Sequence, residues 1–262
     1  KVFPVEIPGA NIEIYIRDLQ GLFNLNSMAP KPIGIDPEAA KTRFKRLLEE
    51  AGVLSASTIA EQVQDWLDPK SSASSTYQNM EPPYSASGIE FSHPSELLLI
   101  EGIDKDIYAK IEPLVSALPA KTPLNINTTD PRILSSWDSG LTLADATTIV
   151  NKTHPGSCGA NVRNDNVIKS ISDDLWSETS LSALIKASDT ENATGTWKEE
   201  DFSVNTQYFS LFIRVQINEQ DMMLESIIRR NMDPKDGFVG VVYRDFSRKP
   251  SDIDRLKIIK CS

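Results

Sequence analysis

Apolar and polar side chains alternate one for one near the start of the chain, Ile12, Ile14 and Ile16 against Glu13, Tyr15 and Arg17. That is the period of a half-buried strand. Asp18-Leu19-Gln20-Gly21 follows and reads as a turn, since Asp bonds its own backbone and Gly tolerates positive φ. Leu22-Phe23-Asn24-Leu25-Asn26 then reads as a return strand, so a hairpin is expected over residues 11–26. The two-residue period comes back only after residue 202. There Tyr208, Ser210, Phe212 and Arg214 alternate with Phe209, Leu211, Ile213 and Val215. Asn218-Glu219-Gln220-Asp221 reads as a turn, and strands are expected at 223–230 and 238–244.

Between these groups the period lengthens to that of helices. Asp36 caps a helix with Pro37 at its first position. Phe44, Leu47, Leu48 and Ala51 form its apolar stripe, and Gly52 ends it. A second helix opens at Ser57 or Thr58, with Ile59, Val63, Trp66 and Leu67 on one face. Residues 68–92 are rich in Ser, Pro and Gly and have no helical period, which makes them a long loop of the kind that is usually a binding loop or disordered. Glu96 to Ile100 and a helix over 104–118 form two short helices hinged at Glu101-Gly102, and residues 125–152 repeat that plan loosely. Two helix-hairpin-helix units in tandem are expected. A further helix is expected near 173–186.

Each strand group is too small to stand alone as a sheet with a covered face. The economical architecture is α+β: one sheet from residues 1–28 and 202–262, with 29–201 inserted as a helical domain.

Composition narrows the function. With 40% hydrophobic and 24% charged residues over 262 positions, the chain can bury a sizeable core. A formal charge of −10 weighs against nucleic acid or an anionic membrane as a ligand of the whole surface. No run of about 18 apolar residues is present, and the chain begins at Lys1 without an initiator Met or signal peptide. Removal of an N-terminal segment is expected. Cys158, in a Gly-rich loop, and Cys261, next to the C-terminus, fit no zinc spacing. They are free thiols or one disulfide, according to compartment.

Five stretches then become specific by their order: "DLQGLFNLN" at 18–26, "DWLD" at 65–68 with "PPY" at 82–84, "SELLLIEGI" at 95–103, "LPAKTPLNINTTDPRIL" at 118–134 and "NTQYFSLFIRVQI" at 205–217. Together they resemble the K-type minor pseudopilins of the bacterial type II secretion system, over about residues 11–245. The resemblance implies a pilin-like antiparallel sheet carrying the helical insertion as helix-hairpin-helix, SAM-like units. It implies a non-enzymatic role, capping the pseudopilus tip and initiating its assembly for protein export across the outer membrane. The place implied is the periplasmic side of the inner membrane, reached through an N-terminal hydrophobic helix that would precede Lys1. The partners implied are the I-type and J-type minor pseudopilins. In that oxidising setting Cys158 pairs with Cys261 across a loop of about 100 residues.

The family's loop after the "DWxD" stretch carries further acidic residues that ligate calcium, which needs six to eight oxygens. Here Asp65 and Asp68 are present, but the expected Glu-Asp pair falls on about Ala73 and Ser74. A two-ion site is therefore not expected. One weak calcium site, using Asp68 with Asn79 or backbone oxygens, stays open beside the plainer reading of Asp65 and Asp68 as surface carboxylates.

Two other classes fit less well. A helix-hairpin-helix nucleic-acid-binding protein would place Lys or Arg beside its phosphate-binding turn, yet Gly102 is flanked by Glu101, Asp104 and Asp106. An enzyme would need a positioned nucleophile, base or metal. His93 and His154 each precede a Pro in a loop, and no G-x-S-x-G, P-loop or HExxH motif is present. Trp66, Trp137 and Trp176 fall at apolar helical positions and read as core.

Overall fold

A computed structural model describes residues 9–30, 36–72, 74–153, 199–231 and 237–246. In chain order the strands are β1 (Ala10–Asp18), β2 (Phe23–Asn24), β3 (Val115–Ser116), β4 (Leu124–Asn125), β5 (Phe202–Ser203), β6 (Tyr208–Ile217), β7 (Gln220–Arg230) and β8 (Val239–Asp245). The helices are α1 (Pro37–Glu50), α2 (Ala56–Leu67), α3 (Ser74–Tyr77), α4 (Lys105–Ile111), α5 (Pro131–Ser136) and α6 (Leu143–Thr153), with short 3-10 turns between them. The chain divides into two compact units, exchanging at Gln20/Gly21 and returning at Val204/Asn205.

The first unit is a four-stranded antiparallel sheet in the order β1-β6-β7-β8. It draws on both ends of the sequence, as the two period-2 segments predict. β6 and β7 form a hairpin with Ile217 opposite Gln220. The turn is therefore the pair Asn218-Glu219, and Asn218 takes the left-handed conformation it requires, φ 53°.

The hairpin expected over 11–26 does not form. β1 pairs along its whole length with β6, Ala10 opposite Ile217 through Asp18 opposite Phe209. Leu19 N–H continues that ladder by donating to the Tyr208 carbonyl at 3.1 Å. Asp18 accepts from Gln20 N–H at 2.8 Å and from the Thr206 hydroxyl, so its turn-forming side chain ties the chain toward the β6 segment. β2 instead pairs in parallel with β3 in the other unit. Gly21 serves close approach and not positive φ: a Cβ there would meet the Thr128 carbonyl oxygen at 2.6 Å.

The second unit is helical. Asp36 accepts from Ala39 N–H at 3.0 Å and Pro37 opens α1. Phe44, Leu47 and Leu48 of α1 are fully buried, as are Ile59, Val63 and Leu67 on the matching face of α2. α1 packs on α2 and on α5, and α5 on α6. Phe23 stacks on Phe44 with ring centroids 5.4 Å apart. Trp66 and Trp137 are buried as expected; Arg43 lies 4.1 Å over the Trp137 ring and pairs with Asp201 at 3.2 Å. The helix expected over 104–118 stops at Ile111. Pro113 lacks an N–H to continue it, and Val115–Ser116 is drawn off into the ladder with β2. The expected helix near 173–186, Trp176, His154, Cys158 and Cys261 lie outside the described residues.

Candidate assembly surface

Directly paired residues in a sheet point to the same face, so the register assigns a face to each paired residue of the sheet. One face carries Ile12, Ile14 and Ile16 from β1, Leu211, Ile213 and Val215 from β6, and Met222 and Leu224 from β7. Val241 of β8 joins it opposite Ile228. The face is mainly apolar, broken by Ser226 opposite Leu211 and by Arg244 opposite Ser226, yet Ile16 is 55%, Met222 57% and Val241 52% exposed. A contiguous apolar surface of this kind marks an interaction site. The opposite face is mixed, with Tyr15, Phe212, Met223 and Ile227 among its charged residues. There Arg214 bridges Glu13 at 3.6 Å and Asp221 at 2.8 Å across three strands, and Glu225 is buried with its carboxyl pushed up to about 7 by burial and by the nearby Asp245 charge.

In the second unit the loop after α2 is organised by aromatic rings. Tyr77 meets Trp66 edge-on at 5.1 Å and stacks on Tyr84 at 5.2 Å. The Tyr84 hydroxyl donates to the Leu99 carbonyl at 2.7 Å. Burial pushes the Tyr77 phenol up. Asp68 Oδ1 accepts from Lys70 N–H at 2.9 Å, while Asn79 Nδ2 donates to the Ser75 carbonyl at 2.9 Å. Each thus takes part in a local turn bond, and Ser74 opens the short α3. Among the described residues no group of three or more His, Cys, Asp or Glu side chains could hold a metal ion. The donor set of this loop does not fit a pair of calcium ions, which needs several carboxylates.

The structure also gives roles that the sequence pattern did not assign. Asn26, 1% exposed, donates through Nδ2 to the Phe91 and Leu118 carbonyls at 3.0 and 2.9 Å, and accepts from Phe91 N–H at 2.7 Å. Asn24 donates to the Pro119 carbonyl at 3.0 Å and accepts from Leu118 N–H at 3.0 Å. The two side chains pin the long loop and the β3 exit to the start of the unit. A signal was present: Asn24-Leu25-Asn26 recurs as Asn125-Ile126-Asn127. In both, the first Asn accepts from the N–H of the second, at 3.2 and 3.1 Å, and each opens on a two-residue parallel ladder. His93 caps the 3-10 helix Pro94–Leu99, where it accepts from Ser95 N–H at 3.1 Å; its place is structural. Asp104 accepts from Ile107 N–H at 2.8 Å, so the turn at Gly102 is capped by an acid and gives the nucleic-acid alternative no support. No described helix is long and apolar enough to cross a membrane.

A family model for type II secretion system protein K matches residues 21–120. The type II secretion system protein K of Pseudomonas aeruginosa is 27% identical over 251 residues, 92% of this chain and 66% of that protein. Its Aeromonas hydrophila counterpart is 31% identical over 147 residues, 50% of this chain and 44% of that protein. The chain thus spans just under two thirds of the first relative and less than half of the second. In fold it is similar to a chain in the crystal structure of the GspK-GspI-GspJ complex of the enterotoxigenic Escherichia coli type 2 secretion system. The TM-score is 0.70 at 22% identity, over 95% of this chain and 83% of that one. The proteins it is similar to are thus K proteins of type II secretion systems, over most of this chain's length.

Proposed function

We propose that this protein caps the tip of the type II secretion pseudopilus and initiates its assembly, acting by binding alone. The observation that carries the reading is the exposed apolar sheet face in a chain similar to the K proteins of type II secretion systems. That face suits an apolar helix laid along a pilin-like sheet, the same helix that would anchor the precursor in the inner membrane and place this chain on the periplasmic side. The partners are I-type and J-type minor pseudopilins, in keeping with the GspK-GspI-GspJ composition of the similar solved complex. The helical unit, which begins at Gly21 and ends at Val204 rather than spanning 29–201, acts as helix-hairpin-helix packing units that end the fibre, because its bulk leaves no room for a following subunit. Cys158 and Cys261 pair as a disulfide in the oxidising compartment.

The test is export. A strain lacking this protein should retain the secretion system's substrates in the periplasm, and restoring the gene should return them to the medium. Undiminished export without it would overturn the reading.

Calcium is peripheral to this role. Titration of the chelator-treated protein with calcium should give at most weak binding at Asp68 and Asn79, with Kd above about 100 μM for so few carboxylates, and an unchanged thermal midpoint. Submicromolar binding would show that the loop recruits ligands beyond these two.

A further inference from the structure

The mixed face of the sheet carries an acidic pair where pairing is least favourable. Glu225 of β7 stands directly opposite Asp245 of β8, and like charges so placed repel. Glu225 is 7% exposed. Directly across on β6 it meets Phe212, which stands opposite Tyr15 of β1 on the same face. Arg17 of β1, paired with Ser210, supplies a positive charge, and Ser210 Oγ of β6 donates to Glu225 Oε1 at 3.3 Å. From β8, Asp245 supplies negative charge, and its Oδ2 accepts from the Tyr243 hydroxyl at 3.2 Å. Arg214 of β6 is committed to Glu13 and Asp221, and Arg229 is the remaining charged residue of that face on β7.

The position in the ladder matters as much as the charge. The β7–β8 register shifts between Ile227 and Ile228. Beyond the shift only Ile227 opposite Tyr243, Ser226 opposite Arg244 and Glu225 opposite Asp245 hold the end of β8. Among the described residues β8 is also an edge strand. A short run isolated by a bulge opens more readily than a continuous ladder.

We propose that Glu225 and Asp245 form a proton-operated latch on this edge: a proton held on Glu225 closes the 243–245 end of β8 onto β7, and its loss sets two like charges opposite each other and frees that end. Two carboxylates in one partly desolvated site favour retention of a proton. The folded carboxyl of Glu225 is raised to about 7, so its contribution is complete below the ordinary range near 4.5 and is lost as pH rises through 7. The latch makes the availability of a sheet edge depend on pH near neutrality, while β1, β6 and the body of β7 stay paired.

Amide hydrogen exchange of the intact protein, corrected for intrinsic rates, tests this at about pH 5.5 and about pH 8.5. Protection at residues 243–245 should fall at least about tenfold on going to the higher pH, since each unit of pKa shift is tenfold in equilibrium. Protection at residues 211–215 should not change. In Glu225→Gln the pH dependence at 243–245 should disappear. Asp245→Asn should reduce it, and serves if the first variant fails to fold. Equal protection at both pH values in the unaltered protein, or an unchanged pH dependence in either variant, would overturn the latch.

Discussion

Asn26→Ala is expected to destabilise the helical unit by about 5 kcal/mol, because it strands buried backbone groups that cost roughly 1–3 kcal/mol each. Those groups are the Phe91 N–H, the Phe91 carbonyl and the Leu118 carbonyl, all bonded to one side chain that is 1% exposed. Water has little access there to replace the lost partners. Urea unfolding should show a lower midpoint with an unchanged slope, the signature of lost stability without a changed unfolded state. A loss under about 1 kcal/mol would mean that these backbone groups find other partners.

Phe44→Ala should cost about 4 kcal/mol, the usual range for emptying a buried aromatic position. Phe44 is fully buried and stacks on Phe23 at 5.4 Å. It also sits on the helix that packs against both α2 and α5. Helices on two sides cannot collapse together into the void, so most of the cavity persists. Thermal or urea denaturation measures the loss, and a value below about 1.5 kcal/mol would show that α1 shifts to fill the space.

These two residues mark what the sequence made legible. Phe44 belongs to a stripe at helical spacing behind an Asp-Pro start, and the helix follows because cap and apolar face both lie within a few residues. The alternation of β1 and β6 was equally local. Even the joining of both chain ends into one sheet followed from each group being too small alone. Asn26 was not legible in the same way, since its partners Phe91 and Leu118 are far along the chain. Turn chemistry at Asp18 to Gly21 suggested a hairpin, but β6 outcompeted the two-residue β2 for β1 by offering a full nine-residue partner surface. Gly21 was misread for a related reason: the contact that requires it is with Thr128.

The assembly surface was half legible. Its β1 and β6 residues came from alternation, whereas its β7 and β8 members and its exposure emerged only once the register put four strands side by side.

Sedimentation of this chain mixed with equimolar soluble I-type and J-type pseudopilins of the same secretion system tests the central claim most directly. A single boundary with the mass of a heterotrimer, retained in chelator, is the predicted result. Three independently sedimenting proteins, with or without calcium, would contradict it.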